Sequence, residues 1–182
     1  MRLRAVLCCV ALGLPAAAPA EAPRPPRELE QLQYFEGDWE CEGQEADTPW
    51  SKAHKTKTDV KVKSDLDGFW YSGKVEQGKK DNPQPLEAKF HWSYDVAQKR
   101  FEGGWIDNTG GWAMQSSPGW QGDTLTWTGE ATLLGVKSGM RDVITRKGAD
   151  EFHHTYEAQI DGQWKPVGEE TCRREKDKKK KK

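Results

Sequence analysis

Two adjacent histidines, His153 and His154, are the first residues whose type and spacing suggest chemistry. They lie in the stretch EFHHTYEAQI (151–160), where apolar and polar residues alternate. Because successive side chains of a strand point to opposite faces, His154 shares a face with Tyr156 and Ala158. We therefore predict that His154 and Tyr156 point inward and are candidate ligand-binding residues. The alternative is that His154 forms internal hydrogen bonds that serve only the fold.

Charged residues interrupt a second apolar stretch, SGMRDVITRK (138–147). Alternation places Arg141 on the face of Val143 and Asp142 on the face of Ile144, so we expect one charge to point inward. An inward arginine can hold a ligand carboxylate through two parallel hydrogen bonds, and Arg141 is our candidate for that role. The alternative is that it pairs with an internal acid.

Tryptophan is unusually frequent, with nine residues in a chain of 182. Those that fall in predicted strands include Trp39, Trp92, Trp105, Trp127 and Trp164. Such side chains either fill a barrel interior or line a pocket for a planar or apolar ligand. The first four are candidate ligand-binding residues. Trp50 and Trp120 are predicted to lie in loops.

The four cysteines divide into two pairs. Cys8 and Cys9 lie in an apolar N-terminal segment, whereas Cys41 and Cys172 lie far apart in the remainder. The apolar N-terminal segment has the form of a signal peptide, and an exported chain meets an oxidising compartment. We therefore predict a disulfide between Cys41 and Cys172, with two unrelated thiols as the alternative. No metal site is predicted, because these cysteines and the scattered histidines lack the spacing of a zinc site.

Motifs of common enzymes are absent from the sequence. It has no Gly-x-Ser-x-Gly, no phosphate-binding Gly-rich loop with lysine and no His-Glu-x-x-His. This absence makes an enzymatic function less expected but does not exclude it.

The elements that must position these residues are strands. The stretch KTKTDVKVK (55–63) alternates with a period of two, and nine further stretches resemble strands separated by turn-forming residues. We predict an all-β, antiparallel up-and-down barrel of about ten strands, with a sandwich as the alternative. The spacing of Leu29 and Leu32 predicts a short N-terminal helix that closes one mouth.

The two cysteines bear on closure of this barrel. Cys41 lies in the first predicted strand and Cys172 in the last, and these strands are neighbours across the seam of an up-and-down barrel. Arg173 or Arg174 would then stack on the ring of Trp39 in a cation–π contact.

A resemblance supports the same architecture. Gly37-Asp38-Trp39, after a short helical segment, resembles the Gly-x-Trp entry motif of lipocalin and calycin barrels. Longer stretches are similar, in order and spacing, to an exported bacterial family of unknown function described as lipocalin-like: FEGDWECEG, YDVAQKRFEGGWIDNTGG, SGMRDVITRK and DGQWKPVGEETCRR.

The resemblance covers about residues 29–174 and implies a lipocalin-like barrel, a periplasmic or secreted location and a small-ligand cavity. It carries no catalytic residues. Related barrels that bind haem use an inward histidine as the axial ligand, which motivates a haem hypothesis for His154.

Four segments organise the chain. Residues 1–20 are predicted to be a signal peptide cleaved after Ala20, since basic MRLR precedes a short apolar run; a lipoprotein anchor is the alternative. Residues 21–28 form a Pro-rich linker and residues 29–174 the barrel domain. Residues 175–182 form a Lys-rich tail that is predicted to be disordered. The alternatives are that the tail contacts anionic lipid weakly or that it folds back on the rest of the chain.

These observations favour an exported protein that binds a small apolar or aromatic ligand in its barrel. One alternative is an envelope interaction protein that uses its outer loops and basic tail around a packed interior. Another is an enzyme that uses the same cavity. No basic patch with interleaved aromatics occurs in the body, so nucleic acid is not an expected partner.

Overall fold

The structure is a computed structural model that describes residues 22–48, 52–78 and 85–176. Two 3₁₀ helices, η1 (Arg27–Phe35) and η2 (Leu66–Gly68), accompany eleven strands. The strands are β1 (Gly37–Glu45), β2 (His54–Asp65), β3 (Trp70–Gln77), β4 (Glu87–Asp95), β5 (Arg100–Asp107), β6 (Trp112–Ser117), β7 (Trp120–Gln121), β8 (Thr124–Leu133), β9 (Val136–Arg146), β10 (Glu151–Ile160) and β11 (Gln163–Arg174).

The strands form one closed antiparallel barrel. Apart from β6 and β7, each strand pairs with its neighbour in sequence; β1 also pairs with β11, and β6 pairs with β8. The two-residue β7 and β6 both pair with β8, but the register of β7 is shifted by one residue relative to that of β6. β7 therefore continues β6 after a bulge. The described residues therefore form a ring of ten strands. This confirms the predicted all-β barrel and excludes the sandwich.

The seam between β1 and β11 is fixed at two positions. Cys41 lies directly opposite Cys172, and their sulfur atoms are bonded, which confirms the predicted disulfide. Trp39 lies opposite Arg174, whose guanidinium carbon is 4.1 Å from the centre of the indole ring. Arg174 also donates a hydrogen bond of 2.8 Å to the carbonyl of Tyr34. The last strand is thus tied both to the first strand and to the helix before it.

The N-terminal helix is of the 3₁₀ type throughout Arg27–Phe35. Its buried residues Leu29, Leu32 and Phe35 recur every third residue, and a 3₁₀ helix places positions three apart on one edge. Trp39 Nε1 donates a 2.8 Å hydrogen bond to the carbonyl of Phe35. This edge packs into the barrel and closes one end. The sequence predicted the position of this helix, and the three-residue spacing explains its tighter winding.

The barrel interior differs between its two ends. The end beneath the helix holds stacked aromatic side chains, including the rings of Trp92 and Trp127, whose centres are 5.5 Å apart. Gly103 permits this stack, since a Cβ there would lie 2.9 Å from the Trp92 ring. The opposite end is lined by smaller residues, among them Ala113 and Ala131. Large residues at one end and small ones at the other leave space inside.

Several predictions concern parts of the chain outside the described residues. These are the signal peptide with Cys8 and Cys9, Trp50, and the lysine tail beyond residue 176. Within residues 22–48, 52–78 and 85–176, we find no helix with the length and apolar character needed to cross a membrane.

Candidate functional site

A cavity of about 460 Å³ occupies the barrel interior. It extends from the aromatic residues near Phe35 to the end of the barrel where β5 joins β6 and β8 joins β9. Thr109 and Leu134 lie on its rim at that end. The opposite end is closed by η1, so a ligand would enter through the end that is lined with small residues.

Six of the seven candidate ligand-binding residues line this cavity. They are Trp39, Trp92, Trp105, Trp127, His154 and Tyr156. Trp105 is held at the wall by a 3.2 Å hydrogen bond from its Nε1 to Asp107 Oδ2. The barrel therefore brings together residues from five different strands, and their role in binding stays a prediction.

Arg141 lies outside the cavity. Its side chain forms a hydrogen bond with Glu157, and its guanidinium carbon is 4.7 Å from the centre of the Trp164 ring. The inward charge on β9 is instead Asp142, as alternation with the buried residues Met140 and Ile144 requires. The candidate role of Arg141 as an internal carboxylate anchor is therefore corrected, because strand alternation directs it to the outer face.

A cluster of polar side chains lies in the cavity wall. His154 sits between two carboxylates, with Nε2 at 3.2 Å from Asp142 Oδ1 and Nδ1 at 3.3 Å from Glu170 Oε1. All three side chains are largely buried: the exposed fraction is 16% for His154, 18% for Asp142 and 8% for Glu170. Register explains the contact on one side, since His154 lies directly opposite Glu170 in the pairing of β10 with β11.

Two further residues complete the cluster. The Tyr156 hydroxyl donates a hydrogen bond to Glu170, and Gln115 Nε2 donates one to Asp142 Oδ2. Tyr156 lies directly opposite Asp142 in the pairing of β10 with β9. Sequence reasoning missed Gln115 and Glu170. For Glu170 a signal was present, since it lies two residues before Cys172 and thus on the same face of the strand.

The model of one protein family matches residues 24–174, which is most of the chain. That family is described as a protein of unknown function, DUF1579. The chain belongs to the DUF1579 family. This agrees with the expected resemblance over about residues 29–174. No curated protein matches the chain.

Solved structures resemble this DUF1579 barrel at low sequence identity. The crystal structure of Rv2717c from M. tuberculosis is 11% identical, with a TM-score of 0.64, over 84% of this chain and 100% of that chain. A protein of unknown function from the DUF3598 family of Nostoc punctiforme is 8% identical, with a TM-score of 0.25, over 82% of this chain and 100% of that chain. The first of these likenesses supports the fold alone.

The carboxylates change the acid–base behaviour of His154 in this DUF1579 protein. Burial on its own lowers the pKa of His154, but hydrogen bonds to Asp142 and Glu170, together with their charges, raise it to about 9. Burial, and then the charge of Glu170, raise the pKa of Tyr156 well above its ordinary value. At neutral pH His154 is therefore protonated and the neighbouring Tyr156 is neutral.

Haem does not fit this cluster as it stands. An axial histidine needs a ring nitrogen with a free lone pair, and both nitrogens of His154 face carboxylate oxygens. Glu170 also lies near the sulfur atoms of Cys41 and Cys172, but sulfur atoms bonded to each other do not offer the thiolates that a metal binds.

The raised pKa of His154 predicts a loss of stability at alkaline pH. Its pKa is about 9 in the folded protein and near 6.5 when unfolded, so the stabilisation is complete below pH 6.5 and is lost as pH rises through 9. We expect the free energy of unfolding to fall on the order of 3 kcal/mol over that interval. Urea denaturation across the pH range measures this fall.

The His154→Leu variant serves as the control for this prediction. Among the charged groups, Asp142 and Glu170 contact His154 directly, and Tyr156 packs beside it. The variant retains these groups and loses the titrating imidazole. If the stability of the wild type and that of the variant change with pH in the same way, His154 is not the titrating group.

Proposed function

We propose that this protein binds a small, mainly apolar or aromatic molecule inside its barrel. The observation that carries the proposal is the cavity of about 460 Å³, which combines tryptophan walls with a few convergent polar groups. Ligand sites in proteins are concave, mostly apolar and about 300–1,000 Å³ in volume. The size and lining of this cavity match that description.

The driving force for such binding is the burial of apolar ligand surface. Burying about 200 Å² against the tryptophans would contribute roughly 5 kcal/mol before the cost of association. The polar cluster of Asp142, His154 and Glu170 would then orient the ligand. The ligand thus gains its affinity from the aromatic wall and its orientation from the polar one.

We further propose that the protein is exported and that its barrel follows the lipocalin-like plan. A disulfide between Cys41 and Cys172 is typical of proteins that fold in an oxidising compartment, which supports export. The contact between Trp39 and Arg174 supports the lipocalin-like plan, because it joins the entry motif to the last strand.

The alternative of an envelope interaction protein assumed a packed interior. The cavity favours ligand binding over that alternative. The second alternative is an enzyme that uses the same cavity, and it is supported by the shifted pKa values of His154 and Tyr156, which both line it.

The binding proposal predicts that plugging the cavity abolishes uptake of a neutral aromatic dye. Ala113 and Ala131 lie directly opposite each other in the pairing of β6 with β8, and both line the cavity. The double variant Ala113→Phe/Ala131→Phe should therefore weaken binding of N-phenyl-1-naphthylamine by about ten-fold or more. Dye fluorescence during titration measures the affinity.

A matched pair of substitutions controls for added aromatic surface. Val96→Phe/Ala97→Phe places the same side chains in the exposed turn between β4 and β5 and should leave the affinity unchanged. Circular dichroism verifies that each variant is folded. If the plugged variant is folded and binds the dye as tightly as the wild type does, the dye site is not in the barrel.

A further inference from the structure

The charge of the cavity wall is one-sided. Four carboxylates line it, from Glu45, Asp107, Asp142 and Glu170, and no lysine or arginine lines it within the described residues. The basic groups on the wall are two histidines: His154 deep inside, and His54 near the rim, 3.9 Å from Glu45. The inference drawn from this wall rests on the proposed function and concerns the charge of the ligand.

At least one acid near the entrance stays ionised for a structural reason. Burial opposes ionisation of Asp107, but hydrogen bonds from Thr109 and Gly111 outweigh it and lower its pKa. The Thr109 hydroxyl donates at 2.6 Å and the Gly111 amide at 2.9 Å. Asp107 is therefore negative at neutral pH and faces any ligand that passes the rim.

Deeper in the cavity, two carboxylates share one cation. Asp142 and Glu170 both contact His154, so two acidic side chains share one basic partner. An anionic ligand beside this trio would lose its hydration without gaining a compensating partner, which is costly in a buried site. A ligand ammonium would instead complete the charge balance and make charge-assisted hydrogen bonds.

Trp127 lies beside the acidic cluster. Its side chain is 2% exposed and lines the cavity. It lies directly opposite Asp142 in the pairing of β8 with β9, so its ring and the acidic cluster belong to one region of the wall.

The tryptophan faces add to the same preference. Aromatic rings attract cations through the negative potential of their faces, most strongly where water is excluded. Trp92 and Trp127 stack beside Gly103, and Trp105 lines the same cavity. The walls thus match both a flat apolar body and a positive charge attached to it.

We propose that the ligand is an organic cation, namely an aromatic amine that is protonated at neutral pH. Its ammonium group lies against Asp142 and Glu170. Its aromatic body lies against the tryptophans. The acidic wall rejects aromatic carboxylates of the same shape.

Four related probes separate charge from shape in isothermal titration calorimetry. 5-Methoxytryptamine and tryptamine are cations with and without a methoxy group, 5-methoxytryptophol is neutral, and 5-methoxyindole-3-acetic acid is an anion. We expect 5-methoxytryptamine to bind tightest, the alcohol to bind about ten-fold more weakly, and the acid about a hundred-fold more weakly.

Substitutions assign these differences to residues. Asp142→Asn, and independently Glu170→Gln, should lower the affinity for the amine by about ten-fold and leave that for the alcohol nearly unchanged. Glu130→Gln is the matched control, since Glu130 is exposed on β8 and pairs with Lys137 outside the barrel.

The outcomes distinguish this inference from the binding proposal. If the alcohol or the acid binds the wild type as tightly as the amine does, the cation inference is wrong while binding in the barrel stands. This comparison uses the wild type alone and does not depend on how the variants fold. If neither the dye nor any of the four probes binds, both proposals are wrong.

Discussion

Replacing Cys41 and Cys172 together by alanine should lower the free energy of unfolding by about 5 kcal/mol. The disulfide joins positions 131 residues apart, so its loss releases a long loop in the unfolded chain. Both cysteines are fully buried, and alanine leaves little new cavity there. Urea denaturation of the oxidised wild type and of the double variant measures the difference.

Reduction provides the control for this experiment. Dithiothreitol should destabilise the wild type by a similar amount and leave the double variant unaffected, because the variant has no Cys41–Cys172 bond to reduce. A double variant that unfolds at nearly the same urea concentration as the oxidised wild type would mean that the two strands are held at the seam by their backbone pairing and packing alone.

The second large effect is expected from His154→Leu. This change keeps an apolar volume at the position but removes the cation between Asp142 and Glu170. Breaking a buried ion pair by removing one partner costs about 3–5 kcal/mol, since the remaining charges lack compensation. We expect that loss at about pH 7.5, where the wild-type His154 is protonated.

The neighbouring histidine is a matched control. His153 lies on the outer face, where its ring contacts Thr171 and Glu169 at the surface. His153→Leu should therefore change the free energy of unfolding by about 1 kcal/mol or less. Equal effects of the two substitutions would show that the internal cluster contributes no more than a surface contact.

Much of the barrel follows from local alternation. Strand β2 illustrates this, because its apolar residues at every second position can only be buried together on one face of a sheet. Ten such stretches joined by turns close into a ring when the two ends meet, and the positions of Cys41 and Cys172 anticipated that meeting. The period of the sequence therefore determined which residues share a face.

The partners of those inward residues were harder to predict. His154 was recognised as inward, but its contact with Glu170 depends on the register of β10 against β11. That register shifts between Tyr156 and Glu157, at a bulge where β11 carries Pro166. Alternation within a single strand carries no information about such a shift, so the acidic character of the site became apparent only in the folded barrel.

The two charged residues of β9 show a related limit of strand alternation as a predictor. Alternation divided Arg141 and Asp142 between two faces without deciding which face was internal. The decision comes from packing, since Met140 and Ile144 are buried and carry Asp142 inward with them. The change matters for function, because an inward arginine would favour an anionic ligand, whereas an inward aspartate favours a cationic one.

The proposed function requires that one molecule binds inside the barrel. Native mass spectrometry with 5-methoxytryptamine tests this most directly, comparing the wild type with the Ala113→Phe/Ala131→Phe variant under the same conditions. We predict a single bound molecule per wild-type chain and none on the plugged variant. The same number of bound molecules on both proteins would contradict the account, since it would place the ligand on the outer surface.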